Sequence, residues 1–172
     1  MKTLETLKHG ISPSIDASTG NRTTYSAMKK SALFFGVMAA VTVAQATDIS
    51  WSGGTADYTN APSWVGGVVP GAADTAINDS GSNNVVRIRV GNPDWAVSQI
   101  RAGNGAGDGS FTQDGQTIDL SGINAGTGYR TSLRLGLAAG NSGIYTLNGG
   151  VLDYTNDSFN VGELGTGILN FN

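Results

Sequence analysis

The 172-residue sequence contains no cysteine, and after residue 46 it contains no histidine or lysine either. Zinc sites and nucleophilic triads are built from those residue types, and disulfides need paired cysteines. We therefore predict no metal site, no cofactor and no catalytic residue, and only weak calcium binding at the aspartate-rich turns stays open as an alternative. The fold must be stabilised by packing and hydrogen bonds alone.

Positive charge is also scarce after residue 46. Residues 47–172 hold five arginines against ten aspartates and one glutamate, a net charge of −6. Because nucleic-acid binding depends on basic side chains that neutralise phosphates, this balance argues against a nucleic-acid partner. Helices are disfavoured as well: 23 of the 26 glycines lie in this stretch, and glycine costs a helix interior about 1 kcal/mol relative to alanine.

One long apolar run is present, at 32–46, and it has the organisation of a secretory signal peptide. Lys29 and Lys30 precede it, and it ends in the small-residue motif Ala44-Gln45-Ala46, which is typical of a cleavage site. A membrane-spanning helix needs about 20 apolar residues. We therefore predict a signal-peptide helix that engages the export machinery and is removed after Ala46, leaving a mature part that does not span the membrane.

Two short phrases recur in the mature part. The first consists of an apolar, a polar and an apolar residue followed by glycine, and it occurs at Ile100–Gly103, Leu133–Gly136 and Phe159–Gly162. In the second, glycine is followed two residues later by a large apolar residue, as in Gly109 to Phe111, Gly143 to Tyr145 and Gly167 to Leu169. The copies are offset by 33 and 34 residues, and then by 26 and 24.

Apolar and polar residues alternate within these phrases, which is typical of β-strands. The alternation places Leu133, Leu135 and Leu137 on one face. The segment 86–90 follows the same rule, with apolar Val86, Ile88 and Val90 opposite the two arginines between them. No window after the leader sustains helical spacing, so we predict an all-β fold.

A unit of 24 to 34 residues with about three short strands favours a right-handed parallel β-helix, or β-solenoid, of a few coils. Stacked units of this kind bury one another's apolar edges, and a single unit cannot do so alone. The solenoid predicts that Phe111, Tyr145 and Leu169 lie in one column. The alternative is a β-sandwich of short antiparallel strands, which the same turn spacing allows.

The sequence divides into four segments on these grounds. We expect a polar extension at 1–27, the signal peptide at 28–46, an N-terminal capping segment at 47–82 and solenoid repeats at 83–172. Met28 is the expected initiator. The copy of the second phrase that begins at Gly143 continues into Gly149-Gly150-Val151-Leu152, whereas the copy that begins at Gly167 ends at Asn172 without this continuation. We therefore expect the chain to be the N-terminal fragment of a longer protein.

The segment 51–81 resembles the opening of secreted bacterial proteins with autotransporter-type β-strand repeats, and of similar large surface proteins. The shared features are the residues Trp51, Gly53, Gly54, Trp64, Pro70, Asp74 and Ala76. The phrase at 143–152 matches the repeats that follow such openings. This resemblance implies a β-helical passenger or surface domain, and it carries over no catalytic residues.

Carboxylates are the remaining groups with catalytic potential, since paired carboxylates act as acid and base in glycan-cleaving enzymes. The candidates are Asp108, Asp114, Asp119, Asp153 and Asp157. We favour a turn role for them, because aspartate beside glycine or asparagine is typical of turns. The segment 103–109 is likewise interpreted as a flexible turn, since a phosphate-binding loop needs a following helix and calcium repeats need tandem copies.

Trp51, Trp64 and Trp95 form the last candidate group, here called the tryptophan cluster. We favour a cap over the first coil, because terminal repeats need an atypical cover. The leading functional hypothesis is an exported, non-enzymatic structural or adhesive β-solenoid of a bacterial cell surface or extracellular matrix, in contact with extracellular polysaccharide or cell-surface components. Two alternatives stay open: a polysaccharide-acting β-helix enzyme with its groove further along a longer chain, and a carbohydrate-binding module that uses the tryptophan cluster.

Overall fold

The computed structural model describes residues 46–120, 131–154 and 158–172. This part is all-β. Its strands are β1 (Asp48–Ser50), β2 (Ala56–Asp57), β3 (Thr75–Asn78), β4 (Val85–Ile88), β5 (Trp95–Ala96), β6 (Gln99–Ala102), β7 (Gly109–Gln113), β8 (Thr117–Asp119), β9 (Thr131–Leu135), β10 (Ser142–Leu147), β11 (Val151–Asp153), β12 (Ser158–Val161) and β13 (Thr166–Phe171). A 3-10 turn spans Ala61–Ser63. The predicted signal-peptide helix lies outside the described residues.

The strands form three parallel sheets. The first has the order β1-β3-β6-β9-β12, the second β2-β4-β7-β10-β13, and the third β5-β8-β11. We call one passage of the chain through the sheets a coil, as in β6, β7 and β8. Every ladder between the described strands is parallel, which does not fit the antiparallel sandwich considered as the alternative.

Strand register aligns the buried side chains of successive coils. In the second sheet Phe111 pairs with Tyr145, and Tyr145 pairs with Leu169, so the predicted column is confirmed. The repeated first phrase is confirmed in the same way, since Ile100 lies opposite Leu133 and Leu133 lies opposite Phe159. The core is therefore made of apolar residues stacked from one coil to the next.

In β4 and β9 the alternation of buried and exposed side chains ends earlier than the sequence predicts. Val86 and Ile88 are fully buried, but Val90 is 77% exposed, because β4 ends at Ile88. Similarly, β9 ends at Leu135, and Leu137 is only half-buried in the turn that follows. Both strand predictions were too long by two residues, since a turn begins where the pattern still alternates.

Glycine closes each first phrase because the chain turns there through a left-handed conformation. Gly103 and Gly136 have φ values of +68° and +64°, which residues with a side chain rarely adopt. The glycine that opens the second phrase, near the start of the next strand, is required for a different reason. A Cβ at Gly143 would collide with the carbonyl oxygen of Ala102 and the amide nitrogen of Gly136, so the two phrases pack backbone against backbone.

The segment 47–82, for which we predicted a capping role, also contributes β1, β2 and β3 to the sheets. Parallel pairing therefore begins before residue 83, where the repeats were expected to start. Within the described ranges, no helix has the length and apolar character that crossing a membrane requires.

The Tyr145 hydroxyl makes stability depend on pH. It donates to Gln113 Oε1 at 2.6 Å, and burial raises the pKa of Tyr145 above the ordinary value of about 10. The neutral Tyr145 hydroxyl therefore makes its full contribution to the stability of the folded state below about pH 10. This contribution is lost as the pH rises further, because the unfolded chain then releases the tyrosine proton more readily than the folded one. We expect the urea midpoint to fall more steeply above that pH in the unchanged chain than in Tyr145→Phe; equal slopes would contradict this.

Candidate functional site

The candidate carboxylates Asp108 and Asp114 are occupied in joining neighbouring coils. Asp108 Oδ1 accepts a hydrogen bond from the backbone N–H of Ser142 at 2.7 Å. Asp114 Oδ1 accepts one from Asn148 Nδ2 at 2.7 Å, and Asn148 Oδ1 in turn accepts one from Asn172 Nδ2 at 2.8 Å. These carboxylates lie in turns, as predicted, and their role in the described structure is to connect coils.

Other turn aspartates have the same role, which the sequence did not reveal. Asp79 Oδ1 accepts from the backbone N–H of Asn104 at 2.6 Å. Asp94 Oδ1 accepts from that of Thr117 at 2.8 Å. A charged acceptor makes such bonds stronger than neutral ones, so the turn acids stabilise the stacking of coils.

Asp119 and Asp153 are brought together by the third sheet. They are the last residues of β8 and β11 rather than turn residues, and they lie directly opposite each other, one strand spacing of about 4.8 Å apart. Asp119 lies between the buried Ile118 and Leu120, and Asp153 is exposed beside the partly buried Leu152, so both point to the outer face. Asp157 lies outside the described residues. An acidic pair on an open face does not by itself make a catalytic site, since acid and base roles need environments that separate two pKa values.

The loop at 103–109 uses its backbone groups to contact the preceding coil. Gly103 N donates to Asn78 O at 3.2 Å, Asn104 N donates to Asp79, and Asp108 O accepts from Gly81 N at 2.8 Å. These groups are therefore not arranged as a phosphate cradle. Across the three described ranges, no group of three or more His, Cys, Asp or Glu side chains is placed to hold a metal ion.

The tryptophan cluster is buried. The Trp51 and Trp64 rings meet edge to face with centroids 4.8 Å apart, and Trp64 and Trp95 lie 6.1 Å apart. The three residues are 3%, 1% and 3% exposed. Each indole N–H donates to a backbone carbonyl: those of Gly54, Tyr58 and Pro70. The ring faces are covered by protein, which argues against sugar stacking on this cluster and agrees with a covering role.

The outer face of the first sheet carries a charged stripe, formed by Asp48, Arg101, Arg134 and Glu163. Arg101 and Arg134 lie opposite each other in the register. Arg101 Nη1 is 3.1 Å from Asp48 Oδ2, and Arg134 Nη2 is 2.6 Å from Glu163 Oε2. Partial burial lowers the pKa of the Arg101 guanidinium, and the Asp48 carboxylate acts in the opposite direction.

This charged stripe was not predicted, although its signal is present in the sequence. Arginine occupies the polar position of two copies of the first phrase, and aligned copies must place such residues side by side. The arginine side chains of these ion pairs are 15% and 26% exposed and their carboxylate partners 59% and 38%, and ion pairs near the surface add little stability, about 0–1 kcal/mol each. The stripe instead offers guanidinium donors and carboxylate acceptors in a row, the groups that hydrogen-bond to hydroxyl-rich glycans.

Comparison with protein-family models, with curated proteins and with solved structures finds no match to this chain.

Proposed function

We propose that the described strands form a right-handed parallel β-solenoid and that the protein is a structural or adhesive component of a bacterial surface or extracellular matrix. The chain enters the three sheets in a constant order from one coil to the next. Crossover connections between parallel strands of one sheet are right-handed in about 98% of cases, which supports the handedness.

The observation that carries this proposal is the alignment of apolar columns in all three sheets. In the third sheet, for example, Trp95 lies opposite Ile118, and Ile118 lies opposite Leu152. A coil covered in this way depends on its neighbours for its stability, as in other repeat proteins. Such an arrangement favours a scaffold that presents long outer faces.

The same features support a non-enzymatic role. Asp108 and Asp114, which were candidates for chemistry, already bind groups of the next coil. The charged stripe faces outward and suits contact with extracellular polysaccharide or cell-surface components. The predicted leader and the resemblance to secreted bacterial repeat proteins support export.

The proposal of export is tested by producing the full chain in a bacterium and sequencing the N-terminus of the material outside the cytoplasm. We expect it to begin at Thr47, because cleavage after Ala46 fits the small-residue motif. Ala46→Asp should block processing, whereas Gln45→Asp, at the unconstrained middle position of the motif, serves as the matched control for an added charge. Retention of the uncleaved chain in the cytoplasm would contradict the proposal.

A further inference from the structure

Two asparagines of the chain are followed directly by glycine, Asn104 and Asn148. In such a pair the backbone nitrogen of the glycine can attack the side-chain carbonyl carbon of the asparagine, because glycine has no side chain to hinder the approach. The attack needs a side-chain amide that is free to turn toward the nitrogen, and a nitrogen that is free of hydrogen bonds. The two pairs differ in both respects.

At Asn148 the fold restrains both groups. Asn148 Nδ2 donates to Asp114 Oδ1 at 2.7 Å, and the N–H of Gly149 donates to Gln113 O at 3.3 Å. A Cβ at Gly149 would lie 3.0 Å from Asp114 O, so the backbone here packs closely on the preceding coil. Attack by the Gly149 nitrogen therefore requires a local opening that breaks these hydrogen bonds first.

At Asn104 both groups are free. Among the described residues, neither the Asn104 side chain nor the Gly105 N–H has a hydrogen-bond partner. Gly105 is exposed, and a Cβ there would meet no atom within 4 Å. The flanking contacts hold the loop in place, since Asn104 N donates to Asp79 Oδ1 at 2.6 Å and Asp108 Oδ1 accepts from Ser142 N at 2.7 Å. The pair therefore lies in a loop with fixed ends and an open middle.

We propose that Asn104 is a site of spontaneous deamidation, from which the fold protects Asn148, and that this reaction loosens the stacking of coils. The Gly105 nitrogen loses its proton to solvent base and forms a bond to Cγ of Asn104. The bond from Cγ to Nδ2 breaks, and ammonia leaves. Water then opens the cyclic imide at either of its two carbonyl carbons, so the reaction consumes water, releases ammonia and needs no other reactant.

The products change the loop where it contacts the neighbouring coils. Both carry a new carboxylate at residue 104, and in one of them the backbone runs through the former side chain and is longer by one carbon. The new charge lies close to Asp79, whose carboxylate accepts the N–H of residue 104, and like charges repel. The adjoining Gly103 has no room to adjust, since a Cβ there would lie 2.7 Å from Ser142 O. Deamidation therefore weakens contacts with the coils on both sides of the loop.

The test incubates the full chain in mildly alkaline buffer, with and without guanidinium chloride, and follows both asparagines by peptide mapping with mass spectrometry. In the folded chain we expect deamidation at least about tenfold faster at Asn104 than at Asn148, a barrier lower by about 1.4 kcal/mol. In denaturant both pairs lose their surroundings, so the two rates should converge. An equal or faster rate at Asn148 in the folded chain, or a difference that persists in denaturant, would overturn the proposal.

Gly105→Ala separates the chemistry from the fold. The added methyl group fits the open loop but hinders attack by the nitrogen beside it, so the incubated variant should keep the Asn104 amide and its urea midpoint. The midpoint of the unchanged chain should fall in step with the fraction deamidated at Asn104. An undiminished rate of deamidation in Gly105→Ala, or a deamidated chain with an unchanged midpoint, would contradict the proposal.

Discussion

We expect Gly143→Ala to lose about 3 kcal/mol of the free energy of unfolding, the upper part of the usual range for overpacking. Gly143 is the second residue of β10, at the point where the strand crosses the preceding turn. A methyl group there would collide with the carbonyl oxygen of Ala102 and the amide nitrogen of Gly136. Since both contacts are backbone, no side chain can rotate away, and the coils must separate. Urea denaturation followed by tryptophan fluorescence measures the loss.

Gly105→Ala is the matched control for this substitution. Its added Cβ meets no atom within 4 Å, and its φ is not in the left-handed region. We expect a change within about 0.5 kcal/mol, as for most surface substitutions. If Gly143→Ala were as stable as Gly105→Ala, the close packing of turn against strand would be wrong.

Trp64→Ala is expected to cost about 3–5 kcal/mol, the range for removing a large buried aromatic side chain. Trp64 is 1% exposed, packs on both other members of the tryptophan cluster, and donates its indole N–H to Tyr58 O at 2.7 Å. Its loss leaves a cavity and an unsatisfied carbonyl at the covered end of the stack. Circular dichroism in urea measures the midpoint.

Val65→Ala is the control for the covering segment. Val65 is the next residue along the chain and is 60% exposed, so its truncation should change stability by less than about 0.5 kcal/mol. A Trp64→Ala protein with the stability of Val65→Ala would contradict the covering role of the tryptophan cluster.

The repeated phrases predict more of the fold than any single segment does. Ile100 and Leu133 occupy the same position in two copies of the first phrase, as Phe111 and Tyr145 do in the second. In the structure each pair lies opposite in the strand register. This was possible because parallel stacking places equivalent residues directly opposite each other. A repeat in sequence is then also a contact in space.

The third sheet and the covering segment were less accessible to sequence reasoning. β5 has two residues and β8 has three, which is too short for alternation to be recognised. The early coils also lack the repeated phrase: Ala76 stands where later copies have a large apolar residue, and the buried Asn78 stands opposite Ala102. Those strands are specified by tertiary contacts rather than by local pattern.

The side-chain connections between coils could not be predicted for a related reason. The sequence predicts that Asp108 lies in a turn, but which backbone N–H it reaches depends on the lengths of two turns at once. The charged stripe depends likewise on register, since Arg134 and Glu163 are paired across neighbouring coils. Such hydrogen-bond and ion-pair partners can be identified only when the fold is known.

Nuclear Overhauser contacts of the Tyr145 ring in the isotopically labelled protein test the central claim most directly. Aligned coils predict cross-peaks from Tyr145 to the Phe111 ring on one side and to the Leu169 methyl groups on the other, with none between Phe111 and Leu169. Absence of the cross-peaks from Tyr145 to Phe111 and Leu169, together with the close backbone contacts of antiparallel strands, would contradict the account.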